Sequence, residues 1–293
     1  MEFPKKAVVL AAGYGTRFLP ITKTIPKEML PVINKPLIQY IIEQIAEAKI
    51  KTIILITNPH KKTLEDYFDR HLELESQLKK TKKTKELKEI KKIADLAHFI
   101  FIRQKEMRGT GHAILRAESI IGKEPIIVFW GDDLIESAPP PISQLKNWFK
   151  KLQSTLLTAL YRPDKEATEL YAYVKGKETK DYILIEDIIE KPGPVKAKKL
   201  LPWAIFSPLV LTPDFFPELK SVKKPKREEI YYVDGLKKML EKGKKIYAIK
   251  IKNARFYSCG NITDYLKMIL EFALKHPEEN KELKKFLKQQ KLC

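Results

Sequence analysis

The 293-residue chain is short of the residues that staple or metallate small scaffolds. Its two cysteines, Cys259 and Cys293, provide neither a disulfide framework nor a zinc site, and five scattered histidines offer no ligand cluster. Arginine is scarce as well: only eight of the 56 cationic side chains are Arg, so Lys carries most of the formal charge of +19. Those lysines are spread along the whole chain, and nothing resembles a recognition helix or an aromatic-basic strand. The charge therefore reads as a solvated surface, and no specific nucleic-acid partner is expected. No apolar run approaches the roughly 18–20 residues that span a bilayer, which argues against a membrane partner. The short apolar run near the N-terminus is followed by Gly13, Gly15 and Arg17 rather than a cleavage site, and the expected location is cytoplasmic.

Apolar residues at 44% and charged residues at 32% describe a globular chain. "KAVVLAA" (6–12), "TIILIT" (52–57), "HFIFIR" (98–103) and "PIIVFW" (125–130) are nearly continuous apolar runs, as strands buried on both faces require. Between the first two lies a helical pattern with Ile38, Ile41, Ile42 and Ile45 on one face, Asn34 as its expected cap and Pro36 in its first turn. "GHAILRAESII" (111–121) reads as another crossover helix, with His112 capping or packing it. Further strands are expected at 155–161, 171–177, 183–192, 203–211 and 245–251, and helices over "REEIYYVDGLKKMLEKG" (227–243) and from Ile262 to about 290. The Tyr231–Tyr232 pair reads as core or interface. Residues 72–96, Lys-rich and helical in pattern, are expected as a hairpin over one sheet edge. The alternation predicts an α/β fold with a mixed, mostly parallel central sheet flanked by helices, in one domain over 1–293.

One stretch stands apart: "AAGYGTRFLPITKTIPKEMLPVINKP" (11–36). A strand followed by Gly13-x-Gly15 brings backbone N–H groups close to a ligand. It is not the dinucleotide fingerprint, which needs a third glycine opening a helix, and it lacks the Gly-Lys-Ser/Thr of a P-loop. Arg17 can fork two phosphate oxygens, and Lys27 and Glu28 sit in a loop bracketed by Pro26 and Pro31.

This segment resembles the N-terminal signature of the bacterial UTP–glucose-1-phosphate uridylyltransferases, a branch of the sugar-1-phosphate nucleotidyltransferases. Gly-x-Gly-Thr-Arg with a later Pro-Lys is the shared pattern, and "TKTIPKEMLP" is the form specific to the uridylyl branch. The resemblance implies a Rossmann-like nucleotidyltransferase fold, with a nucleotide-binding half over about 1–135 and a sugar-binding half with C-terminal helices over about 136–293. It implies transfer of UMP from UTP to glucose 1-phosphate, with Mg²⁺ as cofactor and self-association into a homo-oligomer. It assigns Ala11, Ala12, Gly13, Gly15, Thr16, Arg17, Lys27 and Glu28 to the nucleotide. "IRQKEMRGTGHAIL" (102–115) is similar to the base-reading segment and implies Gln104 and Gly109 at the uracil. "FWGDDLI" (129–135) implies Asp132 as the metal ligand and Asp133 near the ribose. "IIEKP" (188–192) implies Glu190 on sugar hydroxyls and Lys191 on the sugar phosphate, so Arg17, Lys27, Asp132 and Lys191 form the implied catalytic set.

Three positions depart from the family's pattern, all on the sugar or metal side. Tyr171–Ala172 stands where the family has Tyr-Gly, and Ser207–Pro208–Leu209 where it has Gly-Arg-Tyr. Ala172 and Ser207 therefore fall in the implied sugar pocket, with side chains where glycines are usual. Ser258 stands where relatives place a second carboxylate. From these departures the expectation is that UTP binding is kept, while preference for glucose 1-phosphate, or turnover, has drifted. Transfer to another sugar 1-phosphate, use of dTTP, and a catalytically weak regulatory nucleotide binder stay open at this point.

Overall fold

The computed structural model describes residues 1–222, 229–278 and 280–290; Arg227, Glu228 and Cys293 lie outside them. Nine strands form one sheet: β1 (Lys6–Leu10), β2 (Thr52–Thr57), β3 (His98–Arg103), β4 (Ile126–Trp130), β5 (Thr155–Tyr161), β6 (Ala172–Glu178), β7 (Tyr182–Glu190), β8 (Trp203–Leu211) and β9 (Ile246–Lys250). Their order is β3-β2-β1-β4-β8-β5-β9-β7-β6, with β6 also touching β8. The first four strands are parallel throughout. β8 then runs antiparallel to both β4 and β5, and beyond it only the β5–β9 pair is parallel. The sheet is thus mixed, and its parallel character belongs to the N-terminal half. A tight turn between β6 and β7 makes that pair antiparallel, since a parallel pair needs a long crossover.

Burial follows the sequence pattern. Ala7 and Val9 of β1 face a core layer that includes Ile38, Ile41, Ile42 and Ile45 of the helix Leu37–Glu47. Val8 faces the opposite layer, which includes Ile54, Ile114 and the helix Tyr232–Glu241. A strand covered on both faces has no polar side to alternate with, which is why these runs are apolar end to end.

Several boundaries differ from expectation. Asn34 is no cap, and Pro36 lies before the helix rather than in its first turn. Lys35–Pro36 pairs with Pro31–Val32 in a small hairpin, so Pro36 is extended (ψ 154°) and the helix starts at Leu37. The crossover at 111–121 is two short helices, Gly109–Leu115 and Glu118–Ile121, separated by tighter i→i+3 bonds from Arg116 and Ala117. The C-terminal helix stops at Lys275, just before His276–Pro277, and resumes at Asn280. The Lys-rich excursion is a helical hairpin, Leu72–Lys80 and Thr84–Ala94, leading into the edge strand β3. Phe68, which ends the helix before it, stacks on Phe99 of β3 at 4.8 Å. No helix among the described residues is long and apolar enough to cross a membrane.

Gly235 generates a prediction because its sign runs against helix propensity. In most helices Gly→Ala stabilises by up to about 1 kcal/mol. Here the added Cβ would lie 2.9 Å from Phe215 and 3.1 Å from Leu219, so Gly235→Ala is expected to destabilise by about 1–3 kcal/mol in a urea titration. A neutral or stabilising result would mean that the packing between helices Phe215–Lys220 and Tyr232–Glu241 is looser than described.

Candidate active site

The chain runs outward from β1 to β2 and β3 and then returns to place β4 on the other side of β1, so β1 and β4 flank a topological switch point. Open α/β sheets bind ligands beyond the carboxyl ends of strands at such a point. Here the loop after β1 and the Gly131–Asp133 turn after β4 meet. Gly131 N–H donates to the Leu10 carbonyl at 2.8 Å, and a Cβ on Gly131 would stand 3.1 Å from that oxygen and 3.2 Å from Glu28 Cγ. A side chain here would crowd the approach of the two strand ends, which glycine leaves clear.

Gly15 turns the first loop with a left-handed backbone (φ 67°). Its carbonyl accepts from Thr22 Oγ1 at 2.8 Å, and a side chain there would press on Thr22 and Lys27. The turn returns the chain so that the short 3₁₀ segment Lys27–Met29 points Lys27 at the β4 end, where its Nζ pairs with Asp132 Oδ2. Burial opposes the Lys27 charge, but Asp132, Glu28 and Asp133 outweigh it and hold the ammonium above the usual lysine range.

Beneath Lys27 lies a network that the sequence did not announce. Lys61 Nζ donates to both Glu28 oxygens at 2.8 and 2.7 Å and to the Ala11 carbonyl at 2.7 Å. Asn58 Nδ2 donates to the Ala12 carbonyl at 2.6 Å. Burial pushes the Glu28 carboxyl up and the Lys61 ammonium down, and their contact opposes both shifts. All three Lys61 donors meet oxygens, the geometry of an ionised pair. Lys61 follows β2 on the ligand edge of the sheet, but in a chain with lysine everywhere its position carried no distinguishing signal.

A short ladder, Asp133–Glu136 with Arg255–Ser258, closes the third side. Ser258 Oγ donates to Asp133 Oδ1 at 2.6 Å and accepts from Gly260 N–H at 2.9 Å. Burial, then the neighbouring charge of Asp132, push the Asp133 carboxyl up to about 8, against the pull of the Ser258 hydroxyl. Arg17 Nη1 donates to the Gly260 carbonyl at 3.1 Å, joining the first loop to this ladder.

These elements wall a cavity of about 390 Å³. Of the residues singled out in the sequence, Ala12, Gly13, Arg17, Lys27, Glu28, Gln104, Gly109, Asp132, Asp133, Glu190 and Lys191 line it. Gly15 and Thr16 line an adjoining space of about 280 Å³ that shares Arg17, Lys27 and Asp132 with the first. Glu190 ends β7, and Lys191 follows it into the cavity lining. Lys191 takes a left-handed backbone (φ 46°), its N–H donates to the Tyr171 carbonyl at 3.1 Å, and its Nζ lies 5.9 Å from the Tyr231 ring centre. Three residues stand outside the cavity lining. Ala11 is buried, with its carbonyl on Lys61; Ala172 is buried in the core; Ser207 Oγ accepts from Trp130 N–H at 3.1 Å. Tyr171 and Ser258, noted in the sequence at departures on the sugar and metal side, line the cavity, and Tyr231 and Gly260 line it without having been singled out for it. Tyr231 thus faces the site, whereas its neighbour Tyr232 is core, as the pair was read.

Among the described residues no group of three or more His, Cys, Asp or Glu side chains could hold a metal ion. The cavity wall carries a pair of adjacent carboxylates, Asp132 and Asp133. Hard oxygen donors of that number suit magnesium, which keeps several waters and takes further ligands from phosphates. The residues present fit it.

Comparison with known proteins gives a consistent picture. The family model described as nucleotidyl transferase matches residues 6–274. A UTP–glucose-1-phosphate uridylyltransferase of Staphylococcus epidermidis is 39% identical over 291 residues, 99% of each chain. The UTP-bound UGPase from Acinetobacter baumannii superposes with a TM-score of 0.86 at 31% identity, covering 97% of this chain and 98% of that one. A UDP-glucose pyrophosphorylase complexed with UDP-glucose gives 0.81 at 36% identity, covering 93% and 100%.

The buried pair yields a test. Lys61→Met strands the Glu28 carboxylate and is expected to cost about 3–5 kcal/mol in urea unfolding, while adding Glu28→Gln recovers a large part of that loss. Equal stability of the single and double variants would contradict the ionised-pair description.

Proposed function

The chain belongs to the nucleotidyl transferase family, and we propose that it transfers UMP from UTP to glucose 1-phosphate, giving UDP-glucose and pyrophosphate. The observation that carries this reading is one cavity lined by cations from distant parts of the chain: Arg17 and Lys27 from the segment after β1, and Lys191 from the end of β7. Two phosphorylated reactants repel each other, and a site that joins them needs positive charge toward both.

In the reaction a phosphate oxygen of glucose 1-phosphate attacks the α-phosphorus of UTP. A new P–O bond forms as the bond to the β-phosphate breaks, and pyrophosphate leaves. No protein nucleophile is needed, and catalysis consists of positioning and charge neutralisation. Arg17 and Lys27 hold the triphosphate. Gln104 meets the uracil edge, with Gly109 beside it. Lys191 holds the sugar phosphate and Glu190 the sugar hydroxyls. Magnesium, when bound, would neutralise triphosphate charge, and Asp132, backed by Asp133 and Ser258, would hold it. Lys27 has then to leave Asp132 for the phosphates, which shifts the charge of both groups onto ligands rather than onto each other.

The inward placement of Ala172 and Ser207 supports glucose 1-phosphate as acceptor, since neither side chain narrows the cavity. Self-association completes the reading, supported by the exposed face of the helix Ile262–Lys275 that carries Ile262, Leu266 and Leu270.

The direct test is pyrophosphate release with UTP across a panel of sugar 1-phosphates. Turnover is expected to be fastest with glucose 1-phosphate, to fall by about 10²–10³-fold or more in Lys27→Ala, and to stop when EDTA removes divalent cations. UTP binding without turnover on any sugar would overturn the reading in favour of a nucleotide-binding regulator.

A further inference from the structure

Gln104 leaves the end of β3 with its backbone N–H on the Thr57 carbonyl at 2.8 Å, and its side chain is almost wholly buried at the cavity wall. A primary amide can present either its oxygen or its NH₂ to a ligand, and the two choices select opposite partners. Here the surroundings decide. Gln104 Nε2 lies 3.3 Å from the Gly109 carbonyl, which can only accept, so the atom facing it carries the hydrogens. The same Nε2 lies 2.9 Å from His112 Nδ1. With one hydrogen directed at Gly109, the other is available to His112, whose Nδ1 must then be the unprotonated, accepting nitrogen. Burial and the charges of Arg108 and Arg116 favour a neutral ring, against a smaller opposing pull from Glu106. Both amide donors are thereby committed within the protein. Oε1 has no hydrogen bond among the described residues and remains for a ligand in the cavity.

We propose that His112 is a positioning residue for base selection: by accepting from Gln104 Nε2 it holds the amide with Oε1 toward the base. The inference rests on the reading of Gln104 as the base contact. An inward-facing acceptor suits a pyrimidine whose N3 carries hydrogen, as in uracil or thymine. It disfavours cytosine, whose N3 presents a lone pair. Discrimination by a fixed buried polar group is strong because the wrong base leaves that group unpaired. Without His112 the amide can turn and offer NH₂ to cytosine N3. His112, read from sequence as a cap or packing residue, thus gains a role in specificity.

The experiment is calorimetric titration of the intact protein with UTP and with CTP, in the wild type, His112→Ala and His112→Gln. Turnover is measured in parallel. His112→Ala is expected to lower the UTP-over-CTP affinity ratio about tenfold, mostly through weaker UTP binding. His112→Gln can accept through its own Oε1 and is expected to restore most of the ratio. KM for glucose 1-phosphate should move in neither variant, whereas a general loss of structure would move it. A ratio unchanged in His112→Ala would overturn the role of His112 while leaving the base contact standing. Equal loss of both nucleotides, unrescued by His112→Gln, would overturn it too. A wild type that binds CTP as well as UTP would instead overturn the reading of Gln104, and the inference with it.

Discussion

The rest of the site is organised around the contact between Lys27 and Asp132. It joins the ends of two strands on either side of the switch point, and it joins the cation proposed for phosphate to the anion proposed for metal. In the absence of ligands the two groups satisfy each other, so neither is left as an uncompensated charge in a partly buried cavity. The same pairing keeps the loop after β1 drawn over the β4 end, with the cavity walls already in place. A site whose chemistry is mainly positioning gains most from being assembled before its substrates arrive.

That assembly depends on layers beneath it. Glu28 is fixed by Lys61, Lys61 by the Ala11 carbonyl, and the Ala12 carbonyl by Asn58. On the other side Ser258 grips Asp133, Gly260 grips Ser258, and Arg17 holds Gly260. Ser258 stands where relatives are expected to carry a carboxylate. A neutral hydroxyl there avoids adding another negative charge beside Asp132 and Asp133, and it gives Asp133 a donor instead. The departure changes how the acidic pair is supported and leaves the pair itself intact.

The large features of this architecture were legible in the sequence for physical reasons. Runs such as "TIILIT" and "PIIVFW" are apolar, β-branched and of strand length, and they form β2 and β4; the glycine turn with Arg17 and Lys27 pointed to an anionic ligand, and these residues line the cavity and the space adjoining it. What stayed hidden depends on contacts between distant segments. The direction of the strands beyond β4 is set by tertiary packing, and the hairpin that moves the first helix start to Leu37 is too short to leave a pattern. Lys61 is one lysine among 48 until the fold sets it on Glu28. Ala172 and Ser207 differ from the family's residues, yet only the structure puts their side chains away from the cavity. His112 is a helix residue in the sequence and an amide-orienting group in three dimensions.

Diffraction from crystals soaked with UTP and Mn²⁺, with the metal located by its anomalous signal, would test the organising contact most directly. The account predicts manganese on Asp132 and Lys27 Nζ moved from Asp132 to a phosphate oxygen of the triphosphate. Manganese elsewhere, with the Lys27–Asp132 contact intact and UTP bound, would contradict it.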